Sequence, residues 1–245
     1  MLGLPDTIRG LLFDLDGVLT QTAKVHAAAW KEMFDGYLRA RSERDATPFV
    51  PFDAHDDYDT YVDGKPRADG TRSFLAARGM ELPEGGPDDG PDAQTIAGLG
   101  SRKNQLVLRM IHDQGVEPYP GSVRYLHAVR DAGVPRAVVS SSTNCKDVLE
   151  AAGIADLFDE RIDGHVAERD HLPGKPAPDT YLAGAKAIGV EPAAAAVFED
   201  ALAGVEAGHA GGFGAVVGVD RVGQHDALLE HGATVVVHDL AELLP

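Results

Sequence analysis

The hydrophobic pattern changes its period along the chain, and the change divides it. Gly10-Leu11-Leu12-Phe13 is a short continuous apolar run, closed by Asp14-Leu15-Asp16-Gly17. Its length and its flanking turn residues predict a buried strand. After Thr20 the spacing becomes helical. Val25, Ala29, Met33 and Tyr37 share one face, with Thr20 or Thr22 as the cap, and His26 and Trp30 are neighbours on another. Residues 45–70 are broken by Pro48, Pro51 and Pro66 and read as irregular, with an acidic run at Asp53–Asp59. Asp69 is expected to cap a short helix from Gly70 to Arg78. The Pro- and Gly-rich stretch 83–91 reads as a loop. Helix follows, capped at Asp92 and again at Ser101, with Leu106, Val107, Met110 and Ile111 as its apolar stripe.

From Tyr119 onward the periods alternate. Helices are expected over Ser122–Ala132, Asn144–Ala152, Pro178–Ile188, Ala201–Ala207 and Gln224–Glu230. Strands are expected over Arg136–Ser140, near Ile162, and over Ala195–Glu199, Ala215–Val219 and Thr234–Val237. Such alternation implies a parallel sheet with helices on both faces. The expected fold is α/β, a Rossmann-like parallel-sheet core of residues 1–20 and 116–245. A helical cap of residues 21–115 is inserted directly after the two aspartates.

Composition narrows the function classes. With 245 residues and 44% hydrophobic content, the chain has enough apolar material for a sizeable core. The formal charge is −17, from 22 basic and 39 acidic residues, and shows no basic footprint for nucleic acid. No apolar run reaches the ~20 residues of a membrane helix, and the N-terminus lacks a signal-peptide pattern. The single cysteine, Cys145, precludes an internal disulfide and suits a reducing compartment. A cytoplasmic monomer acting on a small molecule is the expectation.

Polar residues gather at the ends of the expected strands, which in a parallel sheet share one edge. They are Asp14 and Asp16, then Ser140-Ser141-Ser142, then Glu199-Asp200, with Gly174-Lys175-Pro176 in a nearby loop. In an open α/β sheet this edge binds ligands. The inventory suits phosphoryl transfer. A carboxylate is ionised near pH 7 and can attack phosphorus without a separate base, which makes Asp14 the candidate nucleophile. Asp16 can protonate the leaving oxygen and deprotonate the incoming one. Mg²⁺ takes one or two carboxylates plus phosphate oxygen, and Asp14 and Asp200 with Glu199 offer these ligands. Lys175 can neutralise phosphate charge and Ser140 can donate to a phosphate oxygen.

The ordered set Asp14-Leu15-Asp16-Gly17-Val18, Ser140, Lys175-Pro176 and Glu199-Asp200 resembles the haloacid dehalogenase superfamily over the whole chain. Within it, the chain looks like the β-phosphoglucomutase branch. The cues are Thr22, His26 and Trp30, the run Tyr61–Arg67, Arg102-Lys103-Asn104 and Ser142-Thr143-Asn144. The resemblance implies Asp14 as nucleophile, Asp16 as acid/base, and Mg²⁺ held among Asp14, Asp16, Glu199 and Asp200. It also implies Thr22, His26, Trp30, Lys103, Ser142 and Asn144 around the sugar phosphate, and Arg67 on the phosphate not being transferred. Arginine's planar fork suits that last task on physical grounds as well. The implied reaction interconverts β-glucose 1-phosphate and glucose 6-phosphate through a bisphosphate. Two departures stand out: a longer, Pro-broken acidic segment between Tyr37 and Tyr61, and Gln21 where many relatives carry an acid.

Two other readings use the same residues. A sugar-phosphate phosphatase would share the nucleophile and take water as acceptor, and a non-catalytic sugar-phosphate binder would not need the full set. Cys145, at a helix position with no histidine nearby in sequence, reads as an inert small residue.

Overall fold

A computed structural model describes residues 2–245, which form two compact units, residues 2–21 with Val116–Pro245, and Thr22–Gly115. The first unit opens with β1 (Gly10–Phe13). The inserted unit follows, with α1 (Thr22–Asp45), a single π-helical turn (Tyr58–Val62), α2 (Arg67–Ala77) and α3 (Ile96–Gln114). The chain then returns through α4 (Pro120–Asp131), β2 (Arg136–Val139), α5 (Cys145–Ala151), β3 (Glu160–Ile162), α6 (Gly164–Asp170) and α7 (Asp179–Ala187). It ends with β4 (Ala195–Glu199), α8 (Leu202–Ala210), β5 (Ala215–Val219), α9 (His225–Glu230) and β6 (Val235–Val237).

The expected Rossmann-like fold is the one observed: among the described residues, six parallel strands lie in the order β3-β2-β1-β4-β5-β6. β1 lies at the centre because all four of its residues are buried and apolar or small, so both faces accept helices. The strand order reverses between β1 and β4. A crevice at such a switch point is where open α/β sheets bind ligands. Phe13 registers with Phe198, and their rings stack at 4.4 Å with Tyr125 edge-on to Phe13 at 6.2 Å. That stack lies one residue below the two acidic strand ends and holds their spacing.

The inserted unit has its own core. Trp30, Phe34, Phe52 and Phe74 pack in contact, with centroids 4.2 Å apart for Phe34 and Phe74 and 5.2 Å for Trp30 and Phe34. The expected irregular segment is anchored into it. Phe52 is fully buried, its N–H donates to Asp35 at 2.8 Å, and its carbonyl accepts from Lys31 at 2.9 Å. Asp53 caps the amides of His55 and Asp56, and Arg78 pairs with Asp57 at 2.7 Å. The acidic run is thus a capped turn leading into the π turn. No helix of the described residues is long and apolar enough to cross a membrane.

Some element boundaries depart from the expectation, and one helix was not expected. α2 starts at Arg67 because Pro66 supplies the preset backbone φ at the cap, so Asp69 falls in the first turn instead. α3 is one helix capped by Thr95, whose hydroxyl accepts from Gly98 at 2.9 Å; Asp92 precedes it, and Ser101 donates to the Asp89 carbonyl. The sequence pattern does not yield α6, whose cap is Asp163, accepting from the Val166 amide at 3.1 Å.

Candidate active site

The register of β1 and β4 makes the site. Phe13 lies opposite Phe198, and the Asp14 N–H donates to the Phe198 carbonyl at 2.9 Å. Asp14 and Glu199 are therefore adjacent positions on neighbouring strands. Lys175 enters from the loop before α7, across a cis Lys175–Pro176 peptide, and lies between them. Its ammonium donates to Asp14 Oδ1 and to Glu199 Oε1, both at 2.5 Å. The Tyr181 hydroxyl donates to Glu199 Oε1 at 2.9 Å, and its ring lies 4.9 Å from the ammonium. The Ala201 amide donates to Glu199 Oε2 at 3.1 Å. Both Glu199 oxygens thus carry protein hydrogen bonds.

Burial and charge set the protonation of this cluster. Burial pushes the Asp14 carboxyl well above its usual range, and the Lys175 ammonium pulls part of the way back. Burial pushes the Lys175 pKa down, but Asp14 and Glu199 outweigh it and hold the ammonium above the usual lysine range. Asp14, Glu199 and Asp200 are all buried, with one oxygen from each within 4.8 Å of the others. Three carboxylates against one buried ammonium leave a deficit of positive charge. Hard oxygen donors in this number fit a divalent cation of the magnesium type. Asp16, expected among the ligands, is outside this three-carboxylate group.

The turn after β1 is closed by its own backbone. The Gly17 amide donates to the Thr20 carbonyl at 2.8 Å, and the Leu19 and Thr20 amides both donate to Leu15. Gly17 has φ of +83°, and a Cβ there would lie 1.7 Å from Asp200 Oδ2. Glycine is required by both counts, since it tolerates this backbone and lets Asp200 lie against it. The loop after β2 is organised by its hydroxyls. Ser140 Oγ accepts from the Ser142 amide, and Ser142 Oγ from the Asn144 amide, each at 3.1 Å. A hydroxyl that accepts in this way keeps a proton to donate. Ser140 and Asn144 are buried. Cys145 is buried as well, and burial, with Asp163 and Asp16 adding to it, pushes its thiol up.

The residues expected from the inserted unit form a second group. Lys103 on α3 lies 2.9 Å from His26 Nδ1 on α1, with its ammonium 5.0 Å above the Trp30 ring. Trp30 itself is 3% exposed and stacked on Phe34, so it supports Lys103 from within the core. Arg67, at the start of α2, donates to the Gly100 carbonyl at 3.2 Å. Gly100 and Lys103 are three apart on α3 and share a face, which brings Arg67 and the His26–Lys103 pair to one side of that helix. Thr22 is buried at the first position of α1.

Three residues beside the acidic cluster have no counterpart in the sequence reading: Tyr181, Arg221 and Gln224. Arg221 donates to the Gly17 carbonyl at 2.7 Å, and Gln224 to the Asp200 carbonyl at 2.9 Å. No local pattern marks them, because each meets the site through tertiary contact alone.

Comparison with known proteins gives a family and several relatives. Residues 8–212 match the family described as haloacid dehalogenase-like hydrolase. A β-phosphoglucomutase of Mycobacterium bovis is 55% identical over 247 residues, covering 100% of this chain and 94% of that protein. The crystal structure of a β-phosphoglucomutase from Clostridium difficile superposes with a TM-score of 0.75 at 24% identity, covering 96% of this chain and 93% of that one. The fructose-1-phosphate phosphatase YqaB of Escherichia coli is 31% identical over 211 residues, 84% of this chain and 94% of that protein.

Proposed function

The chain belongs to the haloacid dehalogenase-like hydrolase family, and on that footing we propose that it is a phosphosugar mutase interconverting β-glucose 1-phosphate and glucose 6-phosphate. The observation that carries the reading is the buried Lys175 ammonium bound to both Asp14 and Glu199 at the switch point of the sheet. It holds one carboxylate oxygen of Asp14 and supplies the positive charge that an incoming phosphate needs.

Asp14 attacks phosphorus, the bond to the sugar oxygen breaks, and the phosphoryl group rests on the aspartate. Asp16 gives a proton to that departing oxygen and later takes one from the hydroxyl of the acceptor sugar. Lys175 offsets charge on the phosphoryl oxygens, and Ser140 donates a hydrogen bond to one of them. Glu199 spends both oxygens on Lys175, Tyr181 and the Ala201 amide, so we assign it to positioning Lys175, with Asp14 and Asp200 as the direct metal ligands. Bound there, Mg²⁺ supplies charge compensation between carboxylate and phosphate. We assign the phosphate not in transfer to Arg67, supported by Lys103 and His26, and the sugar contacts to Ser142 and Asn144.

The 55% identity to a mycobacterial β-phosphoglucomutase over the full chain supports the mutase. The likeness to a fructose-1-phosphate phosphatase supports the second reading, hydrolysis of a sugar phosphate by the same nucleophile. Phosphorus NMR with Mg²⁺, β-glucose 1-phosphate and a trace of glucose 1,6-bisphosphate separates them. Glucose 6-phosphate should appear, and should be lost on chelation and in Asp14→Asn. Release of inorganic phosphate instead would select the phosphatase, and full turnover in Asp14→Asn would overturn both.

A further inference from the structure

The loop between β5 and α9 reaches two parts of the site at once. Asp220 organises it. Its Oδ1 accepts from the amides of Val222, Gly223 and Gln224 at 3.2, 2.7 and 2.9 Å, which folds residues 220–224 into a closed turn. The turn projects two side chains. Gln224 donates to the backbone carbonyl of Asp200 at 2.9 Å. Arg221 donates through Nε to the Gly17 carbonyl at 2.7 Å, and its Nη2 lies 3.4 Å from the Val18 carbonyl. Its remaining arm donates to the His238 carbonyl at 2.7 Å, and the guanidinium lies 3.6 Å over the Tyr119 ring.

An arginine used only for solubility would not be gripped on both edges and one face. The side chain is 15% exposed and satisfied by backbone oxygens, so it forms a fixed bracket between β5 and the turn that follows β1. Ser122 adds a second donor to the Val18 carbonyl at 2.6 Å. The clamped peptides directly follow Asp16. We propose that Arg221 is a positioning residue for phosphoryl transfer: by holding the Gly17 and Val18 carbonyls, it sets where the Asp16 carboxyl stands relative to the oxygen it protonates. The planar fork is what this requires, since an ammonium offers no second parallel donor and no face for Tyr119. Gln224 does the same for Asp200 through the same loop. The proposal rests on the acid/base reading of Asp16, and the test separates the two.

The test compares two phosphoryl donors in single-turnover rapid-quench experiments with Mg²⁺. Glucose 1,6-bisphosphate loses a sugar oxygen that needs a proton as the P–O bond breaks. Acetyl phosphate loses a carboxylate that does not. Asp16→Asn is the reference and should slow phosphorylation of Asp14 by the bisphosphate while sparing acetyl phosphate. Arg221→Ala should show the same selective loss, on the order of 10²-fold for a general acid displaced by about 1 Å, with the half-saturating concentration of bisphosphate little changed. Arg221→Lys keeps charge and bulk should the alanine variant fail to fold, and should show the loss in reduced form. A selective loss in Asp16→Asn with equal or no losses for both donors in the Arg221 variants would overturn the positioning role alone. Absence of selectivity in Asp16→Asn would overturn the acid/base reading and the proposal with it.

Discussion

Replacing Lys175 with methionine isolates the electrostatics of the acidic cluster, because methionine keeps most of the side-chain volume and removes the charge. Lys175 is 2% exposed and binds two carboxylates. Removing one partner of a buried ion pair costs about 3–5 kcal/mol, since the remaining charge is left uncompensated. For a chain of this length each kcal/mol corresponds to roughly 2–4 °C, so the midpoint should fall by about 6–20 °C at pH 8. The sign of the pH dependence follows from Asp14. Burial already raises its folded pKa, and losing Lys175 raises it further. A carboxyl whose folded pKa lies above the unfolded value near 3.9 binds more protons folded than unfolded. Its contribution is fully present below the unfolded pKa and is lost as pH rises through the folded one. The deficit of the variant should therefore be larger at pH 8 than at pH 5. Thermal unfolding followed by far-UV circular dichroism in the presence of a chelator measures this. Tryptophan emission does not, because Trp30 is the only tryptophan and belongs to the inserted unit. A loss under about 1 kcal/mol, equal at both pH values, would refute the buried, charge-coupled cluster, since losses that small are typical of exposed pairs.

The remaining predictions are smaller in scope. Gly17→Ala would drive a Cβ to 1.7 Å from Asp200 Oδ2, and should weaken Mg²⁺ activation about 10–100-fold in a metal titration; an unchanged titration would mean Asp200 is not held there. Asp220→Ala removes three amide contacts and should cost about 1–2 kcal/mol in urea unfolding. Burial raises the Asp220 pKa, but the Gln224, Gly223 and Val222 amides outweigh it and hold it low. That stability is present above pH ~4 and lost as pH falls through the folded pKa, so the gap between wild type and variant should narrow in acid. Cys145, raised by burial, should resist a disulfide exchange reagent at pH 8 in the native protein and react on unfolding. Rapid labelling of native protein would contradict its packing.

The sequence by itself determined the parallel-sheet core, the helical insertion after the first strand, and the identity of Asp14, Asp16, Lys175 and Asp200 as candidates. These were legible because hydrophobic period is local, and because polar residues at strand ends share an edge in any parallel sheet. Local rules also explain what was misplaced. Pro66 outcompeted Asp69 as the start of α2, and Thr95 outcompeted Asp92 and Ser101 as the cap of α3. The division of labour at the site was decided only in three dimensions. Lys175 meets an aspartate 161 residues away and a glutamate 24 residues away, so Glu199, expected as a metal ligand, also holds the ammonium. The helical spacing likewise puts Trp30 with His26 on a face apart from Ala29 and Met33, but it is buried in the same core, under Lys103. Tyr181, Arg221 and Gln224 carry no motif at all. Their roles come from contacts across distant strands and loops, where one hydrogen bond depends on the packing of the whole sheet, and no window of sequence contains that information.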